Sequence, residues 1–95
     1  MKIKFYADLR KIVNKIEINF KTDSYITVDE LLNLLSLQIN PIIKERLVKD
    51  GEVIKGAMIL VNGVNIYHLN KLETLLEDID TINLFPPVGC GKNLL

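Results

Sequence analysis

Scarcity is the first thing this chain displays. It has one cysteine and no tryptophan, so no internal disulfide can staple it, and its stability has to come from an ordinary apolar core. Three prolines and five glycines are too few for a Pro/Gly-rich linker, and no repeat or low-complexity segment interrupts the chain. No apolar run is longer than the stretch from Ala57 to Val61, far short of a membrane span. Excess charge is missing too, since twelve basic residues balance twelve acidic ones, which argues against a generic nucleic-acid binder. The opening MKIKFYADLRK interleaves charge too tightly for a signal-peptide core, so a cytoplasmic protein with no membrane partner is expected. Neutrality hides a local asymmetry. Residues 1–21 carry Lys2, Lys4, Arg10, Lys11, Lys15 and Lys21 against Asp8 and Glu17, whereas residues 73–80 carry Glu73, Glu77, Asp78 and Asp80 with nothing basic. Solvated faces of opposite sign account for both.

What is present is a core. Of 95 residues 48% are hydrophobic and 25% charged, a composition for one folded domain with no room for a second. Ile3 and Phe5 alternate with lysines over residues 2–6, and Ile16, Ile18 and Phe20 alternate with polar residues over 15–21. Both stretches read as half-buried strands, close enough to pair as a first hairpin. Thr27-Val28-Asp29-Glu30 then has the spacing of a capping box, and Val28, Leu31, Leu32, Leu35 and Ile39 follow at helical intervals. Asn40-Pro41 ends that helix, and Pro41 is expected to open a second short helical piece that stops near Asp50-Gly51.

Further along, AMILV (residues 57–61) reads as a strand buried on both faces, and Asn62-Gly63 as the tight turn before a strand over 64–67. Leu72, Leu75 and Leu76 suggest one helical turn. Ile82 and Leu84 share one side of a last strand, Thr81 to Phe85, which Pro86-Pro87 closes because proline cannot donate to a ladder. The order strand, strand, helix, strand, strand, strand implies an α+β roll, a mixed sheet of about five strands packed on one main helix.

The end of the chain, FPPVGCGKNLL, carries the chemistry. With KIKFYADLR, ITVDELLNLL, ILVNGVNI and LEDIDTINLFPPVGCG in this order, the chain resembles the ubiquitin-like β-grasp sulfur carriers, in particular MoaD, the small subunit of molybdopterin synthase, and more distantly the thiamine-pathway carrier ThiS. That family finishes in Gly-Gly at the very C-terminus. Here the pattern puts Cys90 at the penultimate glycine and Gly91 at the terminal one, with Lys92, Asn93, Leu94 and Leu95 as an extension.

The resemblance implies a β-grasp domain over residues 1–88 and a flexible tail over 89–95. It implies a carrier in molybdopterin biosynthesis that is not itself an enzyme and binds no cofactor. A MoeB/ThiF-like activating enzyme, using ATP, would adenylate Gly91, and a sulfur donor would turn the acyl-adenylate into a thiocarboxylate. A MoaE-like large subunit would receive the sulfur, and a trimming metalloprotease would first remove residues 92–95, because a terminal leucine fits a glycine-shaped channel badly. Gly89 and Cys90 would enter that channel beside Gly91. Pro86, Pro87 and Val88 would keep the end extended and off the sheet. Strand alternation turns Tyr6 and Phe85 to the sheet face away from the helix, and Met58 and Leu60 join them as a partner-binding surface. The alternative is a ubiquitin-like binding module or a modifier conjugated through its terminal glycine.

Cys90 reads as a bystander, since only Lys92 stands near to lower its pKa, and persulfide chemistry is the sharper alternative. Cys90 and His68 do not make a metal site, and His68 reads as a surface residue. There is no phosphate-cradling glycine loop and no base at a recognisable spacing from the cysteine.

Overall fold

Residues 1–87 are described by the computed structural model. The expected tail over 89–95, and with it the domain boundary at 88, lie outside the described residues.

Alternating apolar residues build a mixed five-stranded sheet. Its members are β1 (Lys2–Phe5), β2 (Glu17–Asn19), β6 (Met58–Val61), β7 (Val64–Asn65) and β9 (Thr81–Phe85), in the spatial order β2-β1-β9-β6-β7. The first and last strands lie side by side and parallel, with Ile3 opposite Ile82 and Phe5 opposite Leu84. β6 runs antiparallel to β9, with Ile59 opposite Leu84 and Val61 opposite Ile82. Because side chains alternate along a strand, these six residues share one face, and all are buried.

Helix α2 (Val28–Gln38) covers that face. Thr27 Oγ1 accepts from the Glu30 amide at 3.0 Å and Glu30 Oε1 accepts from the Thr27 amide at 2.8 Å, so the capping box starts the helix where the residue spacing requires. Val28, Leu31, Leu32 and Leu35 are fully buried. Each such side chain contributes roughly 2 kcal/mol of apolar burial.

Several sequence expectations need correction. The first two strands do pair antiparallel, but a helix, α1 (Ala7–Val13), joins them in place of a hairpin turn, with Leu9 and Val13 buried at the i, i+4 spacing. Ile16 precedes β2 and is exposed. The helical piece after Pro41 is only α3 (Ile42–Glu45), and Asp50-Gly51 forms the turn of a small hairpin between β4 (Val48–Lys49) and β5 (Glu52–Val53). That turn has φ of 54° and 77°, the same positive pair as Asn62-Gly63 at 51° and 86°. The AMILV strand is buried on one face only. Met58 is 41% exposed and Leu60 half-buried, because no helix layer covers the second face. The strand after Gly63 stops at Asn65, whose Oδ1 accepts from the Tyr67 amide at 2.9 Å and starts a 3-10 turn, Ile66–His68. Around Leu72 the helical turn is a 3-10 turn, Lys71–Glu73, but Leu75–Leu76 is a strand, β8, paired with β3 (Ile26–Thr27).

Candidate functional site

The parallel pair β1 and β9 end together, and the contacts made to Phe85 and Pro87 gather at that end. Tyr6 prolongs β1 with an extended backbone, and its amide donates to the Leu84 carbonyl at 3.2 Å. Its ring stacks on Phe85, centroids 4.2 Å apart and planes 13° from parallel. The Arg10 guanidinium lies 5.5 Å from the Tyr6 ring centroid while its Nε donates to the Phe5 carbonyl at 3.2 Å. A cation over an aromatic face is attracted by the ring quadrupole, so Arg10 steadies the stack. Ala7, next in the chain, takes a left-handed φ of 53° to swing the backbone from strand into α1.

Phe85 sits opposite Met58 in the ladder, and Leu60 sits opposite Asn83. Tyr6, Phe85, Met58 and Leu60 are thus all on the sheet face that α2 leaves open, Met58 exposed and the other three half-buried. Lys4, opposite Asn83 on the other side, borders the strip. Asn83 Oδ1 is buried and has no hydrogen-bond partner among the described residues.

Pro86 is buried and Pro87 half-buried. Neither has an N–H, so their carbonyls are the only backbone groups through which the pair can be hydrogen-bonded. The Pro87 carbonyl accepts from Arg46 Nη2 at 3.4 Å, and the same nitrogen forms an ion pair with Asp8 Oδ2. Gly56 also lies close to Pro87, and an added Cβ there would stand 3.6 Å from the Pro87 Cβ. Val88, Gly89, Cys90 and Gly91 lie outside the described residues.

His68 is exposed, edge-on to Tyr67 with centroids 5.6 Å apart. Among the described residues no cluster of three or more His, Cys, Asp or Glu could hold a metal ion. None of the described helices is long and apolar enough to cross a membrane. Asp78 and Asp80 border a turn. Asp78 Oδ1 accepts from the Thr22 amide at 2.9 Å, and that bond, more than the nearby N-terminal ammonium and Lys21, holds its carboxyl below the ordinary value. Asp80 is buried and accepts from Asn62 Nδ2 at 2.9 Å and the Glu77 amide at 2.8 Å, tying the loop before β9 to the β6–β7 turn.

Sequence reasoning placed Tyr6, Phe85, Met58 and Leu60 on the sheet face away from the helix, where the ladder puts them, but singled out none of Arg46, Asp8, Arg10 or Gly56. For Arg10 a signal existed, because it lies one helical turn beyond Tyr6. For Arg46 none did, since 41 residues separate it from the carbonyl it reaches.

The long helix crossing a mixed sheet whose first and last strands are parallel neighbours makes this a ubiquitin-like β-grasp protein. Within that class the chain belongs to the ThiS family, whose model matches residues 3–91. It is 33% identical over 91 residues to small archaeal modifier protein 3 of Haloferax volcanii, covering 96% of this chain and 98% of the relative. The solution structure of small archaeal modifier protein 1 from Methanosarcina acetivorans is 32% identical with a TM-score of 0.74, over 95% of this chain and 94% of the other. A chain in the crystal structure of the BexX/CysO complex of Amycolatopsis orientalis, 24% identical, shares the fold with a TM-score of 0.79 over 95% and 98% of the two chains. The family is one of small ubiquitin-like sulfur carriers and modifiers.

Proposed function

We propose that this protein is a sulfur carrier whose working group is the carboxylate of Gly91, freed by removal of residues 92–95. One observation carries the reading: the family match runs through Gly91 and stops there. A carboxylate is a poor electrophile and must be activated. Its oxygen attacks the α-phosphorus of ATP on a MoeB/ThiF-like enzyme, pyrophosphate leaves, and hydrosulfide supplied by a sulfur donor then attacks the acyl carbon and expels AMP. The resulting thiocarboxylate would serve molybdopterin formation on a MoaE-like subunit. The open sheet face with Tyr6, Phe85, Met58 and Leu60 would dock the body against each partner while residues 88–91 enter the active site. The neighbour in the BexX/CysO structure is part of a complex, which supports a partner-held role for this fold.

A second reading has its own support. The Haloferax volcanii relative, aligned over 98% of its length, is a modifier. In that case a lysine amine, instead of a sulfur donor, attacks the activated Gly91.

The test is ATP–pyrophosphate exchange with the cognate activating enzyme. The chain ending at Gly91 should support exchange and the full chain should not. In the shortened chain Cys90→Gly should preserve or improve exchange, whereas Cys90→Trp should abolish it. If neither length is adenylated, both readings fail; if only a form retaining Cys90 reacts, the thiol takes part in the chemistry.

A further inference from the structure

A single side chain ties three distant segments together at the point where the described chain ends. Arg46 caps α3 and is anchored by Leu47, which is fully buried. Its Nη2 donates both to Asp8 Oδ2, in the first turn of α1, and to the Pro87 carbonyl, beyond β9. The Arg46 side chain is 30% exposed, but its Nε is buried and has no acceptor among the described residues. Gly56 also approaches Pro87, with no side chain of its own: a Cβ added there would stand 3.6 Å from the Pro87 Cβ.

This arrangement contributes little to stability. At 3.4 Å the bond to Pro87 is long, and the ion pair is half-exposed and screened. Its effect is directional. Beyond β9 the prolines cannot rejoin the ladder, so without Arg46 the rotation about the Pro87 carbonyl would be set only by packing. Asp8 holds the guanidinium at this point through the same Nη2 that reaches the Pro87 carbonyl, a single charge-assisted contact.

We infer that Arg46, clamped by Asp8, is a positioning residue for the C-terminal chemistry: it holds the Pro87 carbonyl and so sets the orientation from which residues 88–91 are presented to the partner's active site. The inference rests on the proposed adenylation of Gly91. Misplacing a reacting group by about 1 Å can cost on the order of a hundredfold in rate, so a residue that never touches the reacting atoms can still govern turnover.

The experiment measures exchange kinetics with the chain ending at Gly91, which keeps every element described within residues 1–87. Arg46→Met should lower kcat by about tenfold and leave the KM for the carrier unchanged, because docking of the body is intact. Asp8→Asn should lower kcat in the same direction, and Arg46→Lys should recover part of the loss. A raised KM at unchanged kcat would mean that Arg46 touches the partner, and constants that do not move would mean that it does nothing there; either overturns the inference. A second readout separates it from the functional reading. In the full-length chain, without any partner, Arg46→Met and Asp8→Asn should both shift the Pro87 carbonyl carbon resonance, and the absence of a shift refutes the clamp whatever the exchange assay gives. If the resonance moves but no chain is adenylated, the carrier reading has failed and Arg46 governs no chemistry.

Discussion

Tyr6 and Phe85 stack face to face, 4.2 Å between centroids, on the sheet face that α2 does not cover. The pair comes from the two ends of the sequence and is brought together by parallel pairing of the first and last strands. A stacked aromatic pair contributes about 1 kcal/mol beyond its area, and anchors of this kind dominate binding when a partner desolvates them.

Replacing Phe85 with Asp, or Tyr6 with Ala, should therefore weaken binding to a MoaE-like or MoeB/ThiF-like partner by at least about tenfold. Titration calorimetry gives the affinity, and urea unfolding of the same variants shows whether the fold survives. Unchanged affinity in both folded variants would remove this face from the docking surface.

Ala7 offers a stability prediction of unusual sign. Alanine in the left-handed region costs roughly 1 kcal/mol, and glycine does not bear that cost. Ala7→Gly should accordingly raise the urea midpoint, even though glycine is normally the poorer residue in a helix. A fall of about 1 kcal/mol, the ordinary helix penalty, would show that the φ of 53° is not kept in solution.

Asp78 gives the fold an acid sensitivity. Its folded pKa lies below the ordinary value of 3.8, chiefly because the Thr22 amide donates to the carboxylate. A depressed folded value means that the contribution is present above the unfolded pKa and is lost as pH falls through the folded one. Wild type should be more stable than Asp78→Asn near neutrality, and the gap should close below about pH 4. Urea midpoints across that range decide the point, and a gap that does not change with pH would exclude the carboxylate as its source.

How much was legible in the sequence depended on how many residues carried each signal. α2 was readable because a capping box and five apolar positions agree on one start and one face. α1 was not, because in a helix of 7 residues the periodicity reduces to Leu9 and Val13, and Ala7 enters through a backbone conformation that no residue type announces. The Asp50-Gly51 turn carried the same signal as Asn62-Gly63, yet its flanking strands have 2 residues each and show no alternation. The exposed second face of β6 follows from layer count, a tertiary property that the run AMILV cannot express. At the candidate site the aromatic pair followed from strand parity, whereas the Arg46 contact with Pro87 exists only once the whole crossover between β1 and β9 is in place.

The central claim is that Gly91 is the reacting end, and the intact mass of the protein isolated from its own cells tests it most directly. The account predicts a species lacking Lys92, Asn93, Leu94 and Leu95, of which a fraction is heavier by the difference between a sulfur and an oxygen atom and returns to the lighter mass on hydrolysis. A protein that retains all four residues and carries no added sulfur would contradict it.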